Sequence, residues 1–219
     1  MRPQWYCDAL PLIVGGDTGA SGPVLRNRML SLLHGIFTQR PGAFAVAFPG
    51  REQLAVLPLP LTGALRVFAS SREDMDWLAE NVISQPWFRD YARLSYPRAV
   101  PADFRGEWVR FVRYRVPSLS SDRHEGEEHG LLRRRRMETA RKAKMTYFIL
   151  RSAGTGQRFS LVVNREQGEP QREECTPNGY GFCVTSSPFS LPELPWFAVS
   201  FYAHGNSGRL KGLLVTQNP

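Results

Sequence analysis

Four consecutive arginines, Arg133, Arg134, Arg135 and Arg136, followed by Arg141, Lys142 and Lys144, are the densest concentration of chemistry in this 219-residue chain. Adjacent guanidinium groups repel, and a solvated helix face ordinarily alternates its signs, yet only Glu138 offers relief. Such a run suits a polyanion, because arginine neutralises phosphate and forks onto guanine edges. It does not by itself separate DNA from RNA. A membrane-surface or calmodulin-binding helix is disfavoured by the scarcity of large apolar residues.

His34 is the second candidate, near the end of an apolar-faced stretch and beside Gly35. A lone histidine there is most often a core or capping residue. It is also the side chain best matched to moving protons near neutral pH. The third is the turn from Ser152 to Gln157 in RSAGTGQRF, which lacks the Lys-Ser/Thr of a P-loop and the full dinucleotide glycine spacing, so a hairpin turn is the simpler reading. Its neighbours give it interest: Ser152, Arg158 and the aromatic Phe159, which could stack on a base. His124, His129 and His204 stand in polar or Gly-rich stretches and read as surface residues. There is no HExxH, no carboxylate pair at helix spacing and no His/Cys cluster, so metal-assisted hydrolysis is disfavoured and no cofactor is expected.

The charge is unevenly placed. Residues 105–158 hold 14 Lys/Arg and 6 Asp/Glu, which accounts for the whole formal net charge of +8; the remainder balances 14 against 14. A localised surplus is the footprint of a polyanion-binding surface rather than a general solubility device. The three cysteines, Cys7, Cys175 and Cys183, are odd in number and lack CxxC spacing. They read as buried thiols in a reducing cytosol, not as a disulfide framework or zinc site. Asp8 interrupts the apolar N-terminal stretch, so no signal peptide is evident, and no run approaches the ~20 apolar residues that span a bilayer. A cytoplasmic location with no membrane partner is expected.

These groups need elements to hold them. Trp5–Val14 reads as a strand, and Pro23 opens a helix whose Leu25, Met29, Leu32, Leu33 and Phe37 share one face. Ala43–Phe48 is a short strand, 51–63 an irregular loop or broken strand, and Ala64–Ala69 an alternating strand. Ser70 or Ser71 caps the next helix, with Glu73 and Asp74 in its first turn. That order outlines a ferredoxin-like half. Beyond it, Glu107–Pro117 alternates strongly, with arginines on both faces. Ser118–Gly130 reads as a mobile loop and Leu131–Met145 as a short basic helix. Tyr147–Arg151 and Arg158–Arg165 flank the turn, Gly179–Thr185 is a plausible strand, and Trp196–Gln217 a terminal hairpin.

The order of these motifs carries more than any one of them. LLHGIF at 32–37, VAFPG at 46–50, VRYR at 112–115, RRRRM at 133–137, LRSAGTGQRFSLVV at 150–163, GYGFC at 179–183 and PWF at 195–197 together resemble the CRISPR repeat-processing endoribonuclease of type I-F systems, a Csy-type member of the Cas-six superfamily. The resemblance runs from Trp5 to Phe197, broken near 51–63, 117–130 and 165–178. It implies an α+β fold: a ferredoxin-like domain over 1–98, an RNA-hairpin-binding region with an arginine-rich helix and antiparallel strands over 99–197, and a C-terminal extension over 198–219. It implies cleavage of a repeat stem-loop at the 3′ base of its stem, with the enzyme staying on the crRNA as a subunit of a surveillance complex.

By position, His34 matches the family's catalytic histidine, Ser152 the serine that fixes the attacking ribose, and Tyr180 a tyrosine that helps hold the site. Phe159 matches the aromatic beneath the terminal base pair, with Gln157 and Arg158 beside it on the RNA. Arg113 and Arg115 fall where the family reads the lowest base pairs, although glutamine is usual at the second position. Arg133–Arg136, extended by Arg141, match the groove-entering helix. The family's second serine in the turn is Gly154 here, so a hydroxyl is lost. RNA carries its own nucleophile, the 2′-OH, so a strand break needs positioning and proton transfer but no metal. Two rival readings remain at this stage: a non-catalytic RNA-hairpin-binding subunit in which His34 is structural, and a DNA-binding protein.

Overall fold

The computed structural model describes residues 1–12, 22–49, 63–117, 126–152, 154–171 and 173–196. Strand β1 (Trp5–Pro11) is buried on both faces and forms the centre of the first sheet. Helix α1 (Gly22–Phe37) begins with Pro23 in its first turn, where a missing N–H costs nothing. It buries Leu25, Met29, Leu30, Leu33, Ile36 and Phe37. Strands β2 (Ala45–Ala47) and β3 (Leu65–Ala69) follow. Helix α2 (Arg72–Ile83) is capped by Ser71, whose hydroxyl accepts the Asp74 N–H at 3.1 Å, with Glu73 and Asp74 complementing the helix dipole. The short helix α3 (Pro86–Tyr91) leads into β4 (Ala92–Leu94) and β5 (Arg98–Ala99). The strands are antiparallel in the order β2-β3-β1-β4, and β5 also pairs with β1.

Inside this sheet lies an ion pair. Asp8 on β1 and Arg66 on β3 are cross-strand partners, both almost wholly buried, with Nε–Oδ1 at 2.6 Å and Nη2–Oδ2 at 3.0 Å. Arg98 adds a second donor to Asp8 at 3.0 Å, and Ser95 Oγ accepts the Asp8 N–H. The Arg66 guanidinium also donates to the Leu194 and Pro195 carbonyls and lies between the rings of Tyr6 and Trp196. A buried cation is tolerable only when so fully partnered. Its partners fasten the Pro-Trp segment to the first sheet.

The second sheet is antiparallel in the order β7-β8-β6-β9, from β6 (Trp108–Tyr114), β7 (Thr146–Arg151), β8 (Arg158–Gly168) and β9 (Leu191–Pro192). Helix α4 (Gly126–Lys142) lies between β6 and β7 in the chain. Helix α1 packs against β1 and α2 on one side and against β7 on the other. Phe48 meets Phe111, Phe148 and Phe182 at ring-centroid distances of 4.7, 5.6 and 6.1 Å, so the two sheets share one aromatic core.

Several elements differ from the sequence expectation. The basic helix starts at Gly126, so the end of the expected 118–130 loop is helical, and it stops at Lys142. Residues 179–185 form a turn with isolated bridges Val112–Cys183 and Val184–Ser187 instead of a strand. The cause is Asn178, whose side chain accepts the N–H groups of Tyr180 and Phe182 and so diverts the backbone from a ladder. Helix α3 and the short strands β4, β5 and β9 were not anticipated. On α1, Leu30 and Ile36 are buried whereas Leu32 is only partly so. The expected strand end at 13–14, the 51–62 loop, residues 118–125 and everything after Trp196, including the terminal hairpin, lie outside the described residues.

Candidate active site and nucleic-acid interface

His34 stands in the last turn of α1, and its ring is met by the turn at 178–181. Its Nδ1 is 2.6 Å from the Gly179 carbonyl. A carbonyl only accepts, so Nδ1 carries a hydrogen, and in the neutral ring the lone pair is on Nε2. The imidazole stacks on Tyr180 with centroids 3.9 Å apart and planes 17° off parallel. Both contacts survive protonation, since the Nδ1 donor remains and a cation is welcome on an aromatic face. Burial pushes the Tyr180 phenol up from its ordinary range, opposed in part by the Arg113 charge, so the hydroxyl stays neutral and able to donate.

The 178–181 turn is built for close approach. Gly181 has φ +79°, its carbonyl accepts the Val46 N–H at 2.8 Å, and a Cβ there would stand 2.7 Å from Val46 Cγ2. A Cβ on Gly179 would lie 3.2 Å from His34 Cε1. The turn therefore presses a bare backbone against the imidazole. Asn-Gly at 178–179 is a strong turn signal, and it is the local clue that could have found these two positioning residues.

Phe159 on β8 reaches the same place, its ring 6.4 Å from Tyr180 and edge-on. Phe159 pairs across the hairpin with Leu150, and Arg151 with Arg158. The Ser152 hydroxyl accepts the Thr155 N–H at 3.2 Å, and its backbone N–H and carbonyl bond Gln157 and Gly156. Gly156, at φ +67°, completes a hairpin turn rather than a phosphate loop. Helix α1 packs against β7. Arg26 lies over Phe148 at 4.8 Å, while eight residues later His34 meets the Tyr180–Phe159 pair that abuts Leu150. Gln157 and Arg158 are exposed.

The arginines divide by face. Arg133 Nη1 donates to the Pro117 carbonyl, and Arg136 Nη1 donates to the Arg115 carbonyl at 2.8 Å while its guanidinium lies over Tyr114. These two, with buried Ala140, hold α4 against the end of β6. Arg134, Arg135 and Arg141 point to solvent, the direction expected of a polyanion-binding face. Between helix and strand opens a cleft of about 590 Å³ lined by Arg113, Tyr114, Arg115, Arg136, Leu132 and Ser160 among others. Arg113 ends the β6 face nearest Tyr180, with its N–H on the Cys183 carbonyl at 3.0 Å. The Arg115 side chain is exposed.

Arg26 was missed from sequence. It shares a face of α1 with Leu30 and His34, and its Nε is buried with no hydrogen-bond partner. Burial draws its pKa down. Among the described residues, no three His, Cys, Asp or Glu side chains converge as a metal site would require. No helix among them is long and apolar enough to cross a membrane.

Fold and site together define a polyanion-binding α+β protein with two antiparallel sheets and an imidazole oriented to accept a proton. Residues 14–197 match the protein family described as CRISPR-associated protein, Cas_Csy4, and the chain belongs to that family, the crRNA-processing endoribonucleases of type I-F CRISPR systems. No curated protein matches the chain. Among solved structures, one described as a chlorite dismutase aligns at 14% identity over 78% of this chain and 81% of that chain, with a TM-score of 0.28, too low to carry an argument.

Proposed function

We propose that the chain binds the stem-loop of a CRISPR repeat and cleaves it at the 3′ base of the stem, with His34 as the general base and no metal in the step. The observation that carries this is the Nδ1–Gly179 hydrogen bond, which commits Nδ1 as the donor and leaves Nε2 as the ring nitrogen available for proton transfer. Nε2 takes the 2′-OH proton as that oxygen attacks the adjacent phosphorus. A P–O2′ bond forms and the P–O5′ bond breaks. The departing oxygen gains a proton from solvent, leaving a 2′,3′-cyclic phosphate and a 5′-OH. Ser152 holds the attacking ribose, Tyr180 keeps the imidazole in plane, and Phe159 stacks beneath the last base pair. Arg134, Arg135 and Arg141 contact the stem, while Arg133 and Arg136 anchor their helix. Arg113 and Arg115, with Gln157 and Arg158, meet the lower stem from the cleft and the hairpin.

We read the first sheet as ferredoxin-like, on its β-α-β-β-α-β order with α3 inserted before β4 and its 4-1-3-2 strand arrangement. The division near residue 98 into that unit and an RNA-binding region follows the change of sheet. The enzyme works in the cytoplasm and stays on its product as a subunit of the surveillance complex. Single-turnover cleavage of the repeat by wild type and by His34→Ala tests the core of this reading. Cleavage abolished with binding intact is expected. Unchanged cleavage would remove His34 from the chemistry, and inhibition of wild type by EDTA would overturn the metal-free step. A wild type that binds without cutting would favour the non-catalytic alternative.

A further inference from the structure

The outer face of α4 presents Arg134, Arg135, Arg141 and Lys142, and in its midst stands Glu138. Between residues 130 and 145 it is the sole acidic residue against seven Lys/Arg. Its carboxylate lies 2.9 Å from Lys142 Nζ. That hydrogen bond, aided by the Arg141 and Arg134 charges, holds its pKa below the usual carboxylate range in the free protein.

A carboxylate in this position works against phosphate binding. An exposed i,i+4 pair with Lys142 adds little stability in return. What a carboxylate does that a guanidinium cannot is accept hydrogen bonds. In the groove into which such a helix would reach, the donors on the base edges are the exocyclic amino groups, N4 of cytosine and N6 of adenine. The Lys142 contact keeps the carboxylate aligned along the helix and uses only part of its accepting capacity.

We propose that Glu138 is a specificity-determining residue, accepting a hydrogen bond from a cytosine or adenine amino group on one strand of the stem and repelling stems in which an inverted pair places a guanine or uracil acceptor there instead. This rests on α4 being the groove-facing helix of the proposed function. Glu138→Gln removes the charge and keeps an acceptor oxygen; Glu138→Ala removes both. The position is exposed and alanine favours helices, so the fold is retained, which thermal unfolding verifies.

The experiment measures binding of wild type and both variants to the repeat hairpin of the same CRISPR locus and to a panel in which each stem base pair is inverted in turn, over a range of salt. Wild type should lose about tenfold or more at one inverted pair. Glu138→Ala should bind the inverted stems several-fold more tightly than wild type and flatten the penalty at that one pair, with Glu138→Gln between. An unchanged penalty at every pair, or a uniform loss of affinity in Glu138→Ala, overturns the proposal and leaves Glu138 an intrahelical partner of Lys142. Wild-type binding indifferent to every inversion and to an unstructured RNA of equal length would instead overturn the groove-helix reading beneath it.

Discussion

Replacing Gly179 with alanine is the sharpest probe of the imidazole's role, because it changes one distance at the ring and little else. A Cβ built there stands 3.2 Å from His34 Cε1 and 3.4 Å from Nδ1, in ordinary helix- or strand-compatible backbone. Carbon pairs rest at about 3.5–4.0 Å, so the ring must yield by roughly 0.3–0.5 Å. It cannot yield freely, being stacked on Tyr180 and hydrogen-bonded at 2.6 Å to the very residue that pushes it. Misplacement by ~1 Å costs about 10²-fold in an oriented reaction, so a third to a half of that displacement predicts a loss of roughly 4–10-fold in the cleavage step. Single-turnover cleavage at saturating enzyme reads that step apart from binding, and a filter-binding titration should show the affinity unaltered. Gly181→Ala is the contrast: at φ +79° and 2.9 Å from the Val46 backbone nitrogen, it should lower thermal stability before it alters chemistry. Full activity in Gly179→Ala would refute the assignment of Nε2 as a positioned base. An equal loss of binding would show that the turn acts on RNA rather than on the ring.

The Asp8→Asn variant leaves Arg66 and Arg98 facing a neutral amide inside the first sheet, and should cost about 3–5 kcal/mol in urea unfolding; a loss under about 1 kcal/mol would mean the pair is solvated. Alkaline pH should destabilise the protein under reducing conditions. Burial raises the thiols of Cys7, Cys175 and Cys183, so the folded chain keeps protons that the unfolded chain releases near pH 9. Their contribution is whole below that pH and is lost above it, by at most about 1.4 kcal/mol per pH unit for each thiol. A urea midpoint flat from pH 8 to 10 would refute it, and Cys7→Ala should shallow the fall. Arg134→Ala should reduce the salt slope of RNA binding by about 0.7–0.9, the loss of one phosphate contact. Arg136→Ala should instead speed amide exchange across 126–142, because it unfastens α4 from the Arg115 carbonyl.

What was legible in the sequence is what local physics decides. The 3.6-residue recurrence of Leu25, Met29, Leu33 and Phe37 defines α1, Ser71 announces α2, and glycines mark the β7–β8 turn. The arginine run was visible as a basic helix, but which arginines face outward was not. Arg133 and Arg136 are three apart and share a face, and only the carbonyls of Pro117 and Arg115 make that face the inner one. The strand expected at 179–185 failed for a local reason of a different kind. GYGFCVT alternates like a strand, yet the Asn178 side chain satisfies two of its N–H groups and Gly181 turns left-handed. Asp8 served the sequence reading only as an interruption in an apolar stretch. Its partner, 58 residues away, is what makes it structural. His34 is the same case at larger separation, since its ring is oriented from 145 residues further along the chain.

That separation has a mechanical consequence. The imidazole is carried by a helix of the first sheet, while the groups proposed to hold RNA are carried by the second sheet, by α4 and by the β7–β8 hairpin. Neither sheet alone contains a site. Nothing covalent joins His34 to the Tyr180 turn except the long way round the chain, so their 3.9 Å stack is held by whatever docks the sheets. Besides the packing of α1 on β7 and the Val46–Gly181 hydrogen bond, two contacts do this. Phe48, beside β2, is wedged among Phe111, Phe148 and Phe182, and aromatic edges of that kind resist sliding. Arg66, deep in the first sheet, grips the carbonyls of Leu194 and Pro195 just after β9. A cation in so dry a place is a poor choice for stability alone, since an apolar substitute of similar volume is often as good. It is a good choice for geometry, because two hydrogen bonds to Asp8 aim the guanidinium and two more to the Leu194 and Pro195 carbonyls fix the segment after β9 relative to the first sheet, in a way that apolar contact would not. The buried arginine is therefore a positioning device for the join between the two sheets, across which His34 meets the Tyr180 turn.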